Sequence, residues 1–314
     1  MKATIFLAVV GGCGFAPAQS ALGDGGPIVG APDAPDPADA SPDAAVPIMC
    51  GDLTCDPHAT CTPAGTGDAS CACSGGYTGD GFTCADIDEC ATTNGGCTAA
   101  CQNTSGSFTC YAPQTCADLA NHGVHVDSST HTLYLDGLAS QPWTVFCAGT
   151  GTGAKEYLAL TGANTSIYQQ GGASPGTDVK TTFTKIRFVV ATKTIDVSDR
   201  TFATSTGKLN HSGDGTMVTS LPFGVAMNCK GQNDTSTTAN FDLSATHFAF
   251  TGNAAFAGGG SAFGAMTSVT SNNQKAQLKG GGYCGWNAPV GAPSNPFNDN
   301  VNATNGQLLT LGYH

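Results

Sequence analysis

After residue 115 the chain is dominated by short runs in which apolar and polar residues alternate. Residues 131–136, 143–147, 156–160, 185–190 and 194–197 read this way. Alternation at a period of two sends successive side chains to opposite faces of a strand. Gly, Ser, Thr and Asn punctuate the runs, as turns require. Residues 241–250 also alternate, mostly at period two, and predict strand. Thr115 followed by Asp118 has the form of a helix start and predicts a short helix over 115–121. No stretch carries the 3.6-residue period of a long amphipathic helix. The expected fold class is therefore mainly β: a compact antiparallel-β domain over 115–314 with little helix, preceded by two small disulfide-rich modules.

Those modules show a cysteine pattern in place of an apolar one. Cysteines stand at 50, 55, 61, 71, 73 and 84. About 35 residues cannot bury enough surface to fold unaided, so cross-links must replace the core. The CxxC pairs of a zinc ribbon are missing. The spacing resembles an EGF-like module over 50–84, and the stretch from Cys73 to Cys84 matches its closing hairpin. The resemblance implies the pairs Cys50–Cys61, Cys55–Cys71 and Cys73–Cys84.

A second unit, 86–114, follows directly. Asp86-Ile87-Asp88-Glu89-Cys90 is followed by Cys97, Cys101 and Cys110, with Asn103 and Phe108 between the last two. This resembles an EGF-like module of the calcium-binding type. Calcium takes six to eight oxygens from carboxylates, amides and carbonyls. The resemblance implies side-chain ligands Asp86, Glu89 and Asn103, and backbone oxygens of Ile87, Thr104 and Ser107. It also implies the pairs Cys90–Cys101 and Cys97–Cys110, and Phe108 packed against the neighbouring module. The unit is truncated: after Cys110 no Cys-x-Cys and closing hairpin follow. Calcium at such a junction, here 85–89, stiffens a module pair into a rod.

The order of several blocks in the C-terminal region resembles a GON domain, the C-terminal module of some animal ADAMTS-type secreted metalloproteases. The blocks contain Val145 to Cys147, Lys155 to Leu160, Phe183 to Phe188, Phe202 to Thr204, Leu221 to Ala226 and Gly281 to Trp286. GON domains are not themselves catalytic in that family, and the protease domain has no counterpart here. The expected head disulfides are Cys116–Cys147 and Cys229–Cys284.

At the other end, Lys2 and an apolar stretch over 3–10 read as a secretion signal. Val10-Gly11-Gly12-Cys13 resembles a bacterial lipoprotein box, which implies a signal peptide over 1–12 and a lipid anchor on Cys13. That assignment uses the last of the 15 cysteines. Residues 13–49 are rich in Pro, Ala and Asp and predict an extended tether.

Composition narrows the function. A formal charge of −12 gives no electrostatic case for nucleic acid, so none is expected as partner, and contact with a membrane is expected through the lipid anchor only. Fifteen cysteines argue for an oxidising compartment: exported, at the cell envelope or surface as a lipoprotein, otherwise secreted. Catalytic motifs are sparse. None of the seven histidines fits HExxH. His122, His125 and His131 form the candidate zinc set, with Asp127 nearby; solvent-facing loop histidines are the plainer reading. Gly172-Ala173-Ser174-Pro175-Gly176 matches G-x-S-x-G, but the residue after the serine must offer an N–H to the oxyanion, and Pro175 has none. The Gly-rich stretch 149–154 lacks the helix of a dinucleotide site and reads as a hairpin loop. Residues 298–302 are oxygen-rich without EF-hand spacing.

These readings lead to a surface-tethered, calcium-binding interaction protein without catalytic residues, its EGF stalk presenting a GON-like head to a protein or glycan. Alternatives are a zinc-dependent enzyme with its site in the head and an envelope scaffold without a dissociable partner.

Overall fold

The computed structural model describes residues 46–63, 65, 68–211, 215–231, 234, 236–259, 266–290 and 309–314. The signal peptide, Cys13, the tether to residue 45 and the loop 298–302 lie outside the described residues.

The first small unit is three hairpins: Ile48–Cys50 with Leu53–Cys55, Ala59–Thr62 with Ser70–Cys73, and Tyr77–Gly79 with Cys84–Asp86. Among its described residues the deeply buried hydrophobic cluster is Cys50, Cys55 and Ala59. Cross-links therefore stand in for a core: Cys50–Cys61, Cys55–Cys71 and Cys73–Cys84. Each such bridge contributes about 2–4 kcal/mol. The second unit has two 3-10 turns, Glu89–Ala91 and Thr93–Gly96, and one hairpin, Ala100–Thr104 with Ser107–Tyr111. Cys90–Cys101 and Cys97–Cys110 fasten the turns to the hairpin.

The head begins with α1 (Cys116–Asn121), capped by the Thr115 hydroxyl accepting from the Asp118 N–H at 3.0 Å. Fifteen strands follow, all in one hydrogen-bonded sheet. They are β1 (Asp127–Tyr134), β2 (Pro142–Thr150), β3 (Lys155–Gln169), β4 (Gly176–Val189), β5 (Thr194–Ile195), β6 (Ala203–Asn210), β7 (Met217–Val218) and β8 (Ala226–Asn228). Then come β9 (Thr238–Asp242), β10 (Phe248–Phe250), β11 (Phe256–Gly259), β12 (Met266–Thr270), β13 (Lys275–Lys279), β14 (Gly285–Pro289) and β15 (Leu309–Tyr313). The spine runs β10-β15-β5-β4-β3-β8-β14-β11, with β1 and β2 continuing from β3 on a branch. One pair, β3 with β8, is parallel; the other pairs are antiparallel. A parallel neighbour requires the chain to return to the same end of the sheet. Residues 170–225, carrying β4 to β7, make that return.

Alternation in sequence becomes alternation in burial. On β2, Trp143, Val145 and Cys147 point inward; on β4, Ile186 and Phe188 do. Trp143 meets Phe188 and Phe248 edge-on, at 5.4 and 5.3 Å. Cys116–Cys147 pins α1 to β2 within this core. A second buried cluster gathers Tyr168, Val179, Leu221, Met227 and Trp286 around Cys229–Cys284.

One predicted strand divides. The alternating stretch 241–250 is β9 and β10 with a turn between them. The Asp242 carboxylate accepts from the Ser244 N–H and hydroxyl, a turn that takes the backbone out of the ladder. Gln274 then donates to the Thr246 and Phe248 carbonyls across the gap.

Candidate functional site

The junction of the two small units concentrates the predicted cation ligands. Asp86 ends the last strand of the first unit, opposite Tyr77. Its carboxylate accepts from the Gly106 N–H at 2.6 Å and from Asn103 Nδ2 at 2.7 Å. The Gly106 amide, then Asn103, hold the carboxyl below the usual aspartate range, so it is ionised at neutral pH. That contact leaves Asn103 Oδ1 as an acceptor. Asp88 caps the 3-10 turn by accepting from the Ala91 N–H at 3.2 Å. This frees Glu89, whose neighbour Cys90 is tied to Cys101 on the hairpin. Glu89 Oε2 is buried without a hydrogen-bond partner.

Thr104 and Ser107 face each other at the hairpin end, where the Thr104 hydroxyl donates to the Ser107 carbonyl at 2.9 Å. The Ile87 N–H donates to Gly76 across the junction at 2.9 Å. A buried carboxyl oxygen with no hydrogen-bond partner is costly unless a donor or cation answers it. The donor set is all oxygen, which suits a hard cation such as calcium.

Tyr77 adds a ring contact between the units to these hydrogen bonds. Tyr77 stacks on His58 at 4.3 Å, bonds the Ser105 hydroxyl at 2.7 Å and lies over Gly106. A Cβ on Gly106 would sit 2.6 Å from that ring. Phe108 lies against Gly95 of its own unit. The turn 105–106 reaches the first unit. Sequence reading missed Tyr77 and Gly106 because neither bears cation-binding chemistry.

The three histidines are held apart by separate partners. His122 Nδ1 bonds the Asp118 carbonyl at 2.8 Å, with the Asp118 carboxylate at 3.4 Å, and its ring stacks on Tyr111 at 4.0 Å. His125 pairs with Asp127 at 3.2 Å in full solvent. His131 Nε2 bonds the Ser129 hydroxyl at 2.7 Å. Among the described residues no group of three or more His, Cys, Asp or Glu is placed to hold a metal ion. The Tyr111–His122 stack fastens the stalk to α1.

Ser174 lies in a turn closed by reciprocal backbone bonds with Gly171. It is fully buried, its hydroxyl 2.8 Å from Tyr168 Oη, which is 2.9 Å from His211 Nδ1. The Gly-rich 149–154 stretch is the β2–β3 connection, with a 3-10 turn at Gly151–Gly153.

Two family models match the chain: an EGF domain at residues 51–84 and a GON domain at residues 170–292. Among curated proteins, Nidogen-1 of Mus musculus is 44% identical over 75 residues, 23% of this chain and 6% of that protein. Uromodulin of Mus musculus is 48% identical over 58 residues, 18% of this chain and 9% of that protein. Adhesion G protein-coupled receptor L4 of Rattus norvegicus is 53% identical over 45 residues, 14% of this chain and 6% of that protein. The chain thus spans under a tenth of each of these relatives. No solved structure matches it significantly. Neither matched domain is a catalytic one, and both, with the seven disulfides, fit an extracellular interaction protein. The chain thus carries a disulfide-linked segment that matches an EGF domain, followed by a β-sheet segment that matches a GON domain.

Proposed function

We propose that this chain is a non-enzymatic surface protein in which a calcium-stiffened EGF pair presents the GON head to an extracellular partner. The observation that carries the reading is Glu89 Oε2, buried and unpartnered three residues after Asp86, whose carboxylate is bonded by Asn103. A calcium ion there would take oxygens from Asp86, Glu89 and Asn103 and from the Ile87, Thr104 and Ser107 carbonyls. Asp86 and Gly106 belong to different units, so an ion on Asp86 would lock the Tyr77 contact. Extracellular modules of this kind bind calcium at about 10⁻⁴–10⁻³ M. A non-enzymatic role is supported by Ser174, the sole nucleophile-like motif residue, being sealed by Tyr168 and followed by Pro175. Cys13, acylated, would hold the protein at a membrane surface, with the 13–49 tether spacing it outward.

Calorimetry on the full chain tests the calcium reading. One calcium per chain is expected, with affinity reduced at least tenfold in Glu89→Gln. An unchanged affinity in that variant, or no calcium at millimolar concentration, would sink it.

A further inference from the structure

The outward face of β2, β3 and β4 carries an ammonium group without an acid beside it. Lys185 Nζ lies 4.5 Å from the centroids of both Phe146 and Phe202. The two rings stand at 87° with centroids 5.5 Å apart. Tyr157 is buried beneath them, edge-on to Phe202 at 4.8 Å, its hydroxyl donating to Asp199 at 2.7 Å. The neighbouring cation, Arg187, is matched by Glu156 at 3.2 Å. Lys185 has no such match: among the described residues it has neither ion pair nor hydrogen bond, only the two rings.

Ring faces attract a cation through their quadrupole but carry no charge that could neutralise it. The Lys185 ammonium is therefore half-buried against two rings that offer it no counter-charge. Among the described lysines, Lys185 is the one whose ammonium lies over two aromatic rings. Phe146 and Phe202 are also half-buried, so part of each ring meets solvent. Beside them lies a row of exposed hydroxyls. Thr130 is the cross-strand partner of Phe146, and Thr132 that of Thr144, two positions along on the same face.

The geometry points to a binding site for a carboxylated sugar, with Lys185 taking the carboxylate, Phe146 and Phe202 the apolar face of the ring, and Thr130, Thr132 and Thr144 its hydroxyls. A row of neutral hydroxyls beside aromatic rings matches a sugar's alternation of C–H and O–H. An acidic peptide lacks that alternation, and the titration below separates the two occupants. The inference deepens the reading of the head as the partner-binding part and is independent of calcium at the EGF junction.

The test is calorimetric titration of the full chain with oligogalacturonate, neutral dextran and poly-L-glutamate, each with calcium saturating and after chelation. Oligogalacturonate is expected to bind, more weakly at high salt, with dextran at least tenfold weaker. Lys185→Gln should lower affinity at least tenfold, and Lys185→Arg should restore most of it. Phe202→Leu, which leaves the charge in place, should also weaken binding. Circular dichroism and melting temperature would confirm that each variant is folded. Equal affinity for dextran, an unchanged affinity in Lys185→Gln, or preference for poly-L-glutamate would each overturn the proposal. Sugar binding that survives chelation while no calcium binds would sink the calcium joint and leave this site standing.

Discussion

Gly106 and Gly171 show how much single atoms decide here. Gly106 sits at a positive φ of 72° beneath Tyr77, so a methyl group meets both a backbone conformation that L residues rarely adopt and the ring 2.6 Å away. Gly106→Ala should loosen the junction and lower calcium affinity severalfold, read by titration, while the head keeps its melting temperature. Gly171 is different because its obstacle is backbone: an added Cβ would lie 1.7 Å from the Cys229 carbonyl. Gly171→Ala should destabilise the head by about 2–3 kcal/mol, measured by denaturant unfolding. Asp86 gives the junction its pH dependence. Its folded carboxyl titrates below the unfolded one, so the contribution is complete above the unfolded value and is lost as pH falls through the folded value. The EGF pair should therefore keep its Tyr77 contact down to about pH 4 and lose it only in stronger acid. Tyr77 fluorescence, or cleavage at 85–89 by an acid-active protease, would follow the change.

Among elements, α1 is the least self-sufficient. Six residues cannot hold a helix in water; the Thr115 cap and the Cys116–Cys147 bridge hold this one. Thr115→Ala should cost about 1 kcal/mol. The double variant Cys116→Ala and Cys147→Ala should cost about 2–5 kcal/mol and shift the thermal midpoint accordingly. Both sulfurs are buried in the larger core, so alanine also leaves a small void. The long strands β3 and β4 are the sheet's centre, and a register shift between Ala159 and Asn164 bends their pairing. That bend lets β3 meet β2 at one end and β8 at the other.

At the scale of the molecule, stalk and head are stabilised by different means, and they should respond differently. The EGF units depend on five disulfides and a small core, the head on aromatic packing across a large sheet. Chelation should speed proteolysis at 85–89 without moving the head's melting temperature. Much of this division was legible beforehand. Cysteine spacing marks units too small for a core, and period-two alternation marks strands, because both signals are local along the chain. Alternation over 241–250 misled, since it records which residues are buried and not whether the backbone between them stays in the ladder; Asp242 and Ser244 decided that. The histidines at 122, 125 and 131 look clustered in sequence, yet Asp118, Asp127 and Ser129 hold each ring separately.

By itself, then, the sequence determined the class of each segment: cross-linked modules, β-rich head, and an acidic chain suited to an oxidising compartment. Spacing and periodicity carry that much because a disulfide loop or a strand needs only near neighbours. The parallel β3–β8 pair, the Tyr77 contact over Gly106, and Lys185 between Phe146 and Phe202 were decided only by tertiary structure. Each joins residues 17 to 59 positions apart, and no local pattern encodes which distant side chains the folded chain will bring together.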